Sequence, residues 1–131
     1  MNFIKAILRC VALGTMLVLL SASSLAQEAP VPKQEPLLIV SSWYGEPFHG
    51  RTMANGKVYD KMKLTVAHRA WPFQTKLRLL NPTNNRAVEV VVTDRGPYVN
   101  GRGLDVSEKV AMILGFHKKG IEILEVHFID D

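Results

Sequence analysis

The sequence holds one cysteine, Cys10, among 131 residues. The rest of the chain therefore has no disulfide open to it, and a cysteine-ligated structural zinc is excluded. The four histidines, His49, His68, His117 and His127, form no helical ligand pair and no HExxH pattern, so no metal site is expected. No serine sits in a G-x-S-x-G elbow, and neither a Walker-type phosphate loop nor a GxGxxG turn is present. The "GRG" of 101–103 is too short to count as one. A serine or cysteine hydrolase and a nucleotide-dependent enzyme are thus disfavoured, and no cofactor is expected.

Charge is also scarce. The formal net charge is +4, and setting aside Lys5 and Arg9 leaves 14 basic against 12 acidic residues. That balance is too even for a nucleic-acid partner and suits at most the vicinity of an anionic cell envelope.

The first segment has the layout of an export signal. Lys5 and Arg9 precede the apolar run "CVALGTMLVLL" (10–20), and "SASSLAQ" follows with small residues Ser24 and Ala26 at the spacing a signal peptidase reads. Residues 1–26 are expected to be removed after Ala26, delivering the protein to the periplasm or cell envelope. The apolar run is short for a spanning helix. Cys10 stands at its front, where lipidation is not served, so no stable membrane anchor is expected. "QEAPVPKQEP" (27–36) reads as a proline-rich linker, leaving 37–131 for one small domain, expected to be a monomer.

Within that domain the pattern is mostly strand. "LLIVSSWYG" (37–45), "LTVAH" (64–68), "KLRLLNP" (76–82), "AVEVVVTD" (87–94), Leu104–Val106 and "IEILEVHFI" (121–129) are strand candidates. Residues 48–60 contain two glycine turns, one at Asn55-Gly56, and Asn84-Asn85 marks a hairpin tip. The last strand is expected to turn Leu124, Val126 and Phe128 inward. One helix is signalled by Ser107 as N-cap, Glu108 in the first turn and Gly115 as the stop, with Val110, Ile113 and Leu114 on one face. Six or so short strands and one short helix suit a small closed barrel, which covers strand edges.

What remains for chemistry is carboxylate and histidine. Asp94 ends the best strand, just before the break Arg95-Gly96-Pro97, a place where a rigid strand presents a side chain to open space. By spacing alone, an Asx-type turn or pairing with Arg95 or Arg102 is the favoured role. Asp105 by the same standard serves the helix N-terminus, and His68 is a core-edge residue with one hydrogen bond. Trp43, Tyr44, Phe48 and Tyr98 lie at turns and strand ends, as do Tyr59, Trp71 and Phe73. Aromatics beside an acid are what a carbohydrate groove uses, since flat sugar faces stack on rings.

Three motifs in order, "SSWYGEPFHGRTMANGKVYD", "LTVAHRAWPFQT" and "VVTDRGPYVNGRGLDVS", together resemble the rare lipoprotein A (RlpA) family. The resemblance spans about residues 39–127. It implies a mainly β fold, a six-stranded double-psi β-barrel like that of barwin and expansin, with one short α-helix. It implies a lytic transglycosylase of peptidoglycan glycan strands, preferring strands without stem peptides and leaving 1,6-anhydro-N-acetylmuramic acid ends. It implies Asp94 as the catalytic carboxylate and His68 as a supporting residue. Trp43, Tyr44, Phe48, Tyr98, Arg95 and Asp105 are the substrate-binding candidates. Such an enzyme uses the C6 hydroxyl of the substrate as nucleophile, so one carboxyl can serve as acid and then base, whereas a hydrolase generally needs two. Asp94 would need burial or a neighbouring carboxylate to hold a proton, with Arg95 opposing this unless it points elsewhere. The chain departs from the family pattern at Lys57, where a glutamate is usual, at Gln74, where a glycine is usual, and at Gly103, where an aliphatic residue is common. Lys57 keeps open a non-catalytic module that binds wall polysaccharide, and a protein-binding role for the same groove or for the proline-rich arm stands third.

Overall fold

The computed structural model describes residues 35–130. The expected leader and most of the proline-rich linker lie outside the described residues. Six strands and one helix follow in order: β1 (Leu37–Tyr44), β2 (Thr65–Ala67), β3 (Lys76–Asn81), β4 (Arg86–Asp94), β5 (Leu104–Ser107), α1 (Glu108–Leu114) and β6 (Ile121–Phe128). The strands close into a barrel in the order β1-β5-β2-β4-β3-β6. Two pairs are parallel, β1 with β5 and β2 with β4, and the other four are antiparallel. A parallel pair cannot be joined by a tight hairpin. The chain therefore crosses over twice, and the two crossovers interlock.

Alternation along the strands fills the interior. Leu77 and Leu79, Val90 and Val92, Leu104 and Val106, and Leu124 and Val126 point inward two by two, each at most 3% exposed. Val110, Ala111 and Leu114 of α1, with Phe116 after it, join the same core. Ile113, expected on that face, is only half-buried. The helix ends are satisfied as the sequence suggests. Ser107 Oγ accepts from Val110 N, and Gly115 takes the left-handed conformation (φ 77°) that lets its N–H close the last turn. The carbonyl of Leu114 receives the side-chain amides of Asn81 and Asn84 at 2.8 and 2.9 Å, so the β3–β4 turn caps the helix from outside.

The last strand differs from the sequence reading. Phe128 is 51% exposed, because it lies past the barrel interior and meets the edge of Trp71 instead (ring centroids 5.0 Å, 75°). In the same phase Glu122 is buried, its carboxylate held by Lys119 Nζ at 3.2 Å and Ile123 N at 3.0 Å. Residues 48–63 form no regular strand; they fold as a loop with one bridge between Thr52 and Val58. Tyr59 anchors this loop: its ring stacks on Tyr44 at 4.2 Å and its hydroxyl donates to Tyr44 O at 2.6 Å.

Gln74 has φ 73°, the left-handed region that a side chain resists, while its N–H donates to Val92 O at 2.9 Å. Gln74→Gly is expected to relieve strain of about 1–2 kcal/mol against the added freedom of the unfolded glycine. The net should be a stabilisation of up to about 1 kcal/mol in urea unfolding, whereas Gln74→Ala should give none.

Candidate active site

The groove of this barrel is assembled from strand ends. Tyr44 closes β1, Ala67 closes β2, Asp94 closes β4 and Asp105 lies near the start of β5. Ala67 pairs with Asp94 on one side and with Asp105 on the other. With strands about 4.8 Å apart, the two acidic residues stand roughly 10 Å apart at Cα, separated by one methyl side chain. Phe48, Arg95–Val99 and Arg102 complete a groove of about 240 Å³ that holds both carboxyls. Gly96 has φ 120°, which a side chain would resist, and it turns the chain away just after Asp94.

Asp94 accepts three hydrogen bonds. Oδ1 receives the backbone N–H of Ala54 at 2.9 Å and of Arg95 at 2.8 Å, and Oδ2 receives the hydroxyl of Tyr44 at 3.3 Å. Burial, and then the charge of Asp94, push the Tyr44 phenol well above its usual range, so it stays a donor. The Arg95 guanidinium is directed elsewhere: Nη1 donates to His68 O at 3.2 Å and Trp71 O at 2.9 Å, and the group lies 3.9 Å from the centre of the Phe73 ring. Arg95 thus spends its charge on these carbonyls and on the Phe73 ring, holding loops together rather than reaching into the groove.

Asp105 has an altered proton affinity. Burial raises it to about 6; Ser42 Oγ, donating at 3.1 Å, and Arg102 pull it down, and Asp94 pushes it up.

The other candidates divide. Tyr44, Phe48, Arg95, Tyr98 and Asp105 line the same groove as Asp94, and Tyr98 is 77% exposed there. Trp43 does not join them. Strand alternation sends it to the opposite face, where it packs on the core, stacks on His117 at 4.4 Å and donates from Nε1 to His117 O at 3.0 Å. His68 borders the neighbouring depression with Arg69 and Arg102. Its N–H donates to Asp94 O at 3.2 Å, its ring stacks on Trp71 at 3.6 Å, and Nδ1 accepts from Ala70 N and Trp71 N. Burial, then Arg69 and Arg95, lower its proton affinity, so the neutral ring carries its hydrogen on Nε2. One contributor went unread in the sequence, the amide of Ala54, since nothing in a sequence marks a backbone donor 40 positions from its acceptor. Arg102, a pairing candidate for Asp94, lines the groove and acts on Asp105.

The interlocked parallel crossovers are those of a double-psi β-barrel, the fold the resemblance implied. A Streptomyces papain inhibitor superposes with TM-score 0.57 at 18% identity, over 76% of this chain and 99% of its own. An expansin of Clavibacter michiganensis solved with cellohexaose gives 0.57 at 20%, over 72% and 52%. These likenesses establish the fold alone. A family model described as lytic transglycolase matches residues 39–126. The chain is 39% identical over 92 residues to the endolytic peptidoglycan transglycosylase RlpA of Rickettsia bellii (68% of this chain, 40% of the relative). It is 47% identical over 72 residues to that of Campylobacter jejuni (55% and 26%). The alignment with the probable enzyme of Synechocystis is 43% identical over 82 residues (63% and 26%). The chain belongs to the RlpA-like lytic transglycolase family, and it aligns with 26–40% of the length of these curated relatives.

Asp105 makes stability depend on pH. Its folded value of about 6 lies above the ordinary 3.8, so the protonated form is favoured on folding and stability falls as pH rises from about 4 to about 6. The full shift corresponds to about 3 kcal/mol. Asp105→Asn should abolish most of this slope in urea unfolding from pH 4 to 7; an unchanged slope would show that Asp105 titrates normally.

Proposed function

We propose that this protein cleaves the glycan strands of peptidoglycan outside the cytoplasm by intramolecular transglycosylation, leaving a 1,6-anhydro ring on N-acetylmuramic acid. The supporting observation is the pair of carboxyls, Asp94 and Asp105, facing one groove on either side of Ala67, in a chain of this family.

The two carboxyls have different work. Asp105, lifted to about 6, carries a proton in mildly acidic conditions and donates it to the bridging oxygen as the C1–O bond breaks. Asp94 acts as acceptor in all three of its hydrogen bonds, which suits it to receive the C6 hydroxyl proton as the C1–O6 bond forms. No water is consumed. One proton moves onto Asp94 as one leaves Asp105, and exchange with solvent restores both. Ala54 N, Arg95 N and the Tyr44 hydroxyl fix the Asp94 carboxylate in place, so the base is preorganised. The rings of Phe48 and Tyr98 offer apolar faces for sugars along the groove. His68 supports the site by holding the backbone of Asp94.

The purified protein should release soluble fragments ending in 1,6-anhydro-N-acetylmuramic acid from glycan strands lacking stem peptides, read by mass spectrometry. Asp94→Asn should lower the rate by at least about 10²-fold while strand binding persists. Ordinary reducing ends would make the protein a hydrolase. Binding without any soluble product would favour the non-catalytic wall-binding module.

A further inference from the structure

β1 brings one hydroxyl to each acid of the groove. Ser42 and Tyr44 stand two positions apart on that strand, so their side chains share a face. Tyr44 Oη donates to Asp94 Oδ2 at 3.3 Å, and Ser42 Oγ donates to Asp105 Oδ1 at 3.1 Å. The second contact follows from register: in the parallel pairing of β1 with β5, Ser42 stands opposite Asp105. Ser42 is 4% exposed and does not line the groove, so it meets Asp105 from behind. The reaction proposed above uses Tyr44 and leaves this second hydroxyl without a part.

The two acids are not equally provided for. Asp94 accepts three hydrogen bonds, whereas Ser42 Oγ is the one hydrogen-bond partner of the Asp105 side chain among the described residues. The titratable and charged groups that face Asp105 are Asp94 across Ala67, Arg102 in the loop before β5, and the phenols of Tyr44 and Tyr59. Burial favours the neutral form of Asp105 most and Asp94 adds to it, while Ser42 and then Arg102 favour the ionised form. Of these last two only Ser42 touches the carboxyl, since Arg102 forms no ion pair with it among the described residues. A hydrogen bond to an ionised acceptor is the stronger kind. The Ser42 hydroxyl therefore holds the carboxylate more firmly than the acid.

We infer that Ser42 is the positioning residue of the proton donor: it braces the Asp105 carboxyl from β1 and stabilises the carboxylate that remains once the proton has passed to the bridging oxygen. This rests on the transglycosylation proposed above, with Asp105 as the acid. Burial alone makes a carboxyl that keeps its proton, and a general acid must also give it up. Ser42 eases that step with a neutral hydroxyl fixed by strand register, so no further charge enters the groove. β1 then serves both halves of the reaction, Tyr44 holding the base and Ser42 the acid.

The test is the pH profile of glycan cleavage by the full protein and by Ser42→Ala, a change that removes one oxygen and adds no volume. Without the hydroxyl the ionised Asp105 loses its donor, so the acid stays protonated to higher pH. The alkaline limb should move up by about one pH unit, the scale of one hydrogen bond to a charged group. The acid is then also weaker, so the rate at low pH should fall, by less than about tenfold. The two profiles cross, and the variant is the faster enzyme on the alkaline side. A rate lowered at every pH with the limb in place is what a merely structural role gives, and it would overturn the inference. Ser42→Thr keeps a hydroxyl at a strand position that suits a β-branched residue, and should keep the limb of the unaltered protein. A limb displaced there as in the alanine variant would count equally against the hydrogen bond. Titration of the Asp105 carboxyl by carbon NMR, assigned with Asp105→Asn, needs no substrate and separates the two proposals. An upward shift in Ser42→Ala, in a protein that cleaves nothing, would keep the hold of Ser42 on Asp105 and sink the transglycosylase. An unshifted titration with cleavage intact would sink the role of Ser42 and keep the transglycosylase. A shifted titration with an unmoved limb would show that Asp105 is not the donor, and the inference would fall with it.

Discussion

Three residues close this barrel. Thr65–Ala67 pair in parallel with β4 and antiparallel with β5, and without that short strand β4 and β5 would each present an open edge. The same double pairing brings the ends of two strands, 11 positions apart in sequence, to the flanks of a single alanine. Closure and site assembly are thus one event. Val66, fully buried, fixes the register from inside, and Ala67, small and at the rim, leaves space between the acids. A register slip of one residue would turn Val66 outward and carry Ala67 away from Asp94 and Asp105 together.

The loop over the groove depends on the barrel in turn. Residues 48–63 have little regular structure, yet they are held at Tyr59, whose ring and hydroxyl both engage Tyr44, and at Ala54, whose amide reaches Asp94. Tyr44 links the two attachments, since its own hydroxyl donates to Asp94. The Asp94 carboxylate, proposed as the base, is consequently also a structural acceptor. Replacing Asp94 with asparagine keeps an oxygen for the two backbone amides, whereas alanine would remove the acceptor that pins the loop. The gentler change is the cleaner probe of chemistry.

Legibility in the sequence followed range. Alternation in "AVEVVVTD", the Ser107 cap and the Gly115 stop are local signals, and β4 and α1 lie where these place them. Phe128 misled because alternation states which face a residue shares and not where the barrel interior ends. Trp43 misled for a related reason: an aromatic next to Tyr44 necessarily faces the other way on a strand. The direction of Arg95 was unreadable, since its partners, the carbonyls of His68 and Trp71, lie more than 20 positions earlier. The ordering of motifs that carries the family resemblance named the groove without supplying its geometry. Spacing alone favoured a local backbone bond at Asp94, and Oδ1 does accept the N–H of the next residue, Arg95. The same oxygen accepts the N–H of Ala54, 40 positions earlier.

The chain's departures from the family pattern converge in space. Lys57 and Gln74, 17 positions apart, line the same cavity. Gln74 holds a left-handed backbone, φ 73°, at a position where the family pattern has the residue that adopts it freely. Gly103, the third departure, has a steric account instead: a Cβ there would come within 2.7 Å of Ile39 Cγ2, so the bare backbone lets Gly103 N donate to Val40 O at 2.9 Å beside β1. One departure thus accommodates packing at the barrel wall, while the other two reshape a polar cavity. None of the three departures lines the groove that holds Asp94, Asp105 and Tyr44.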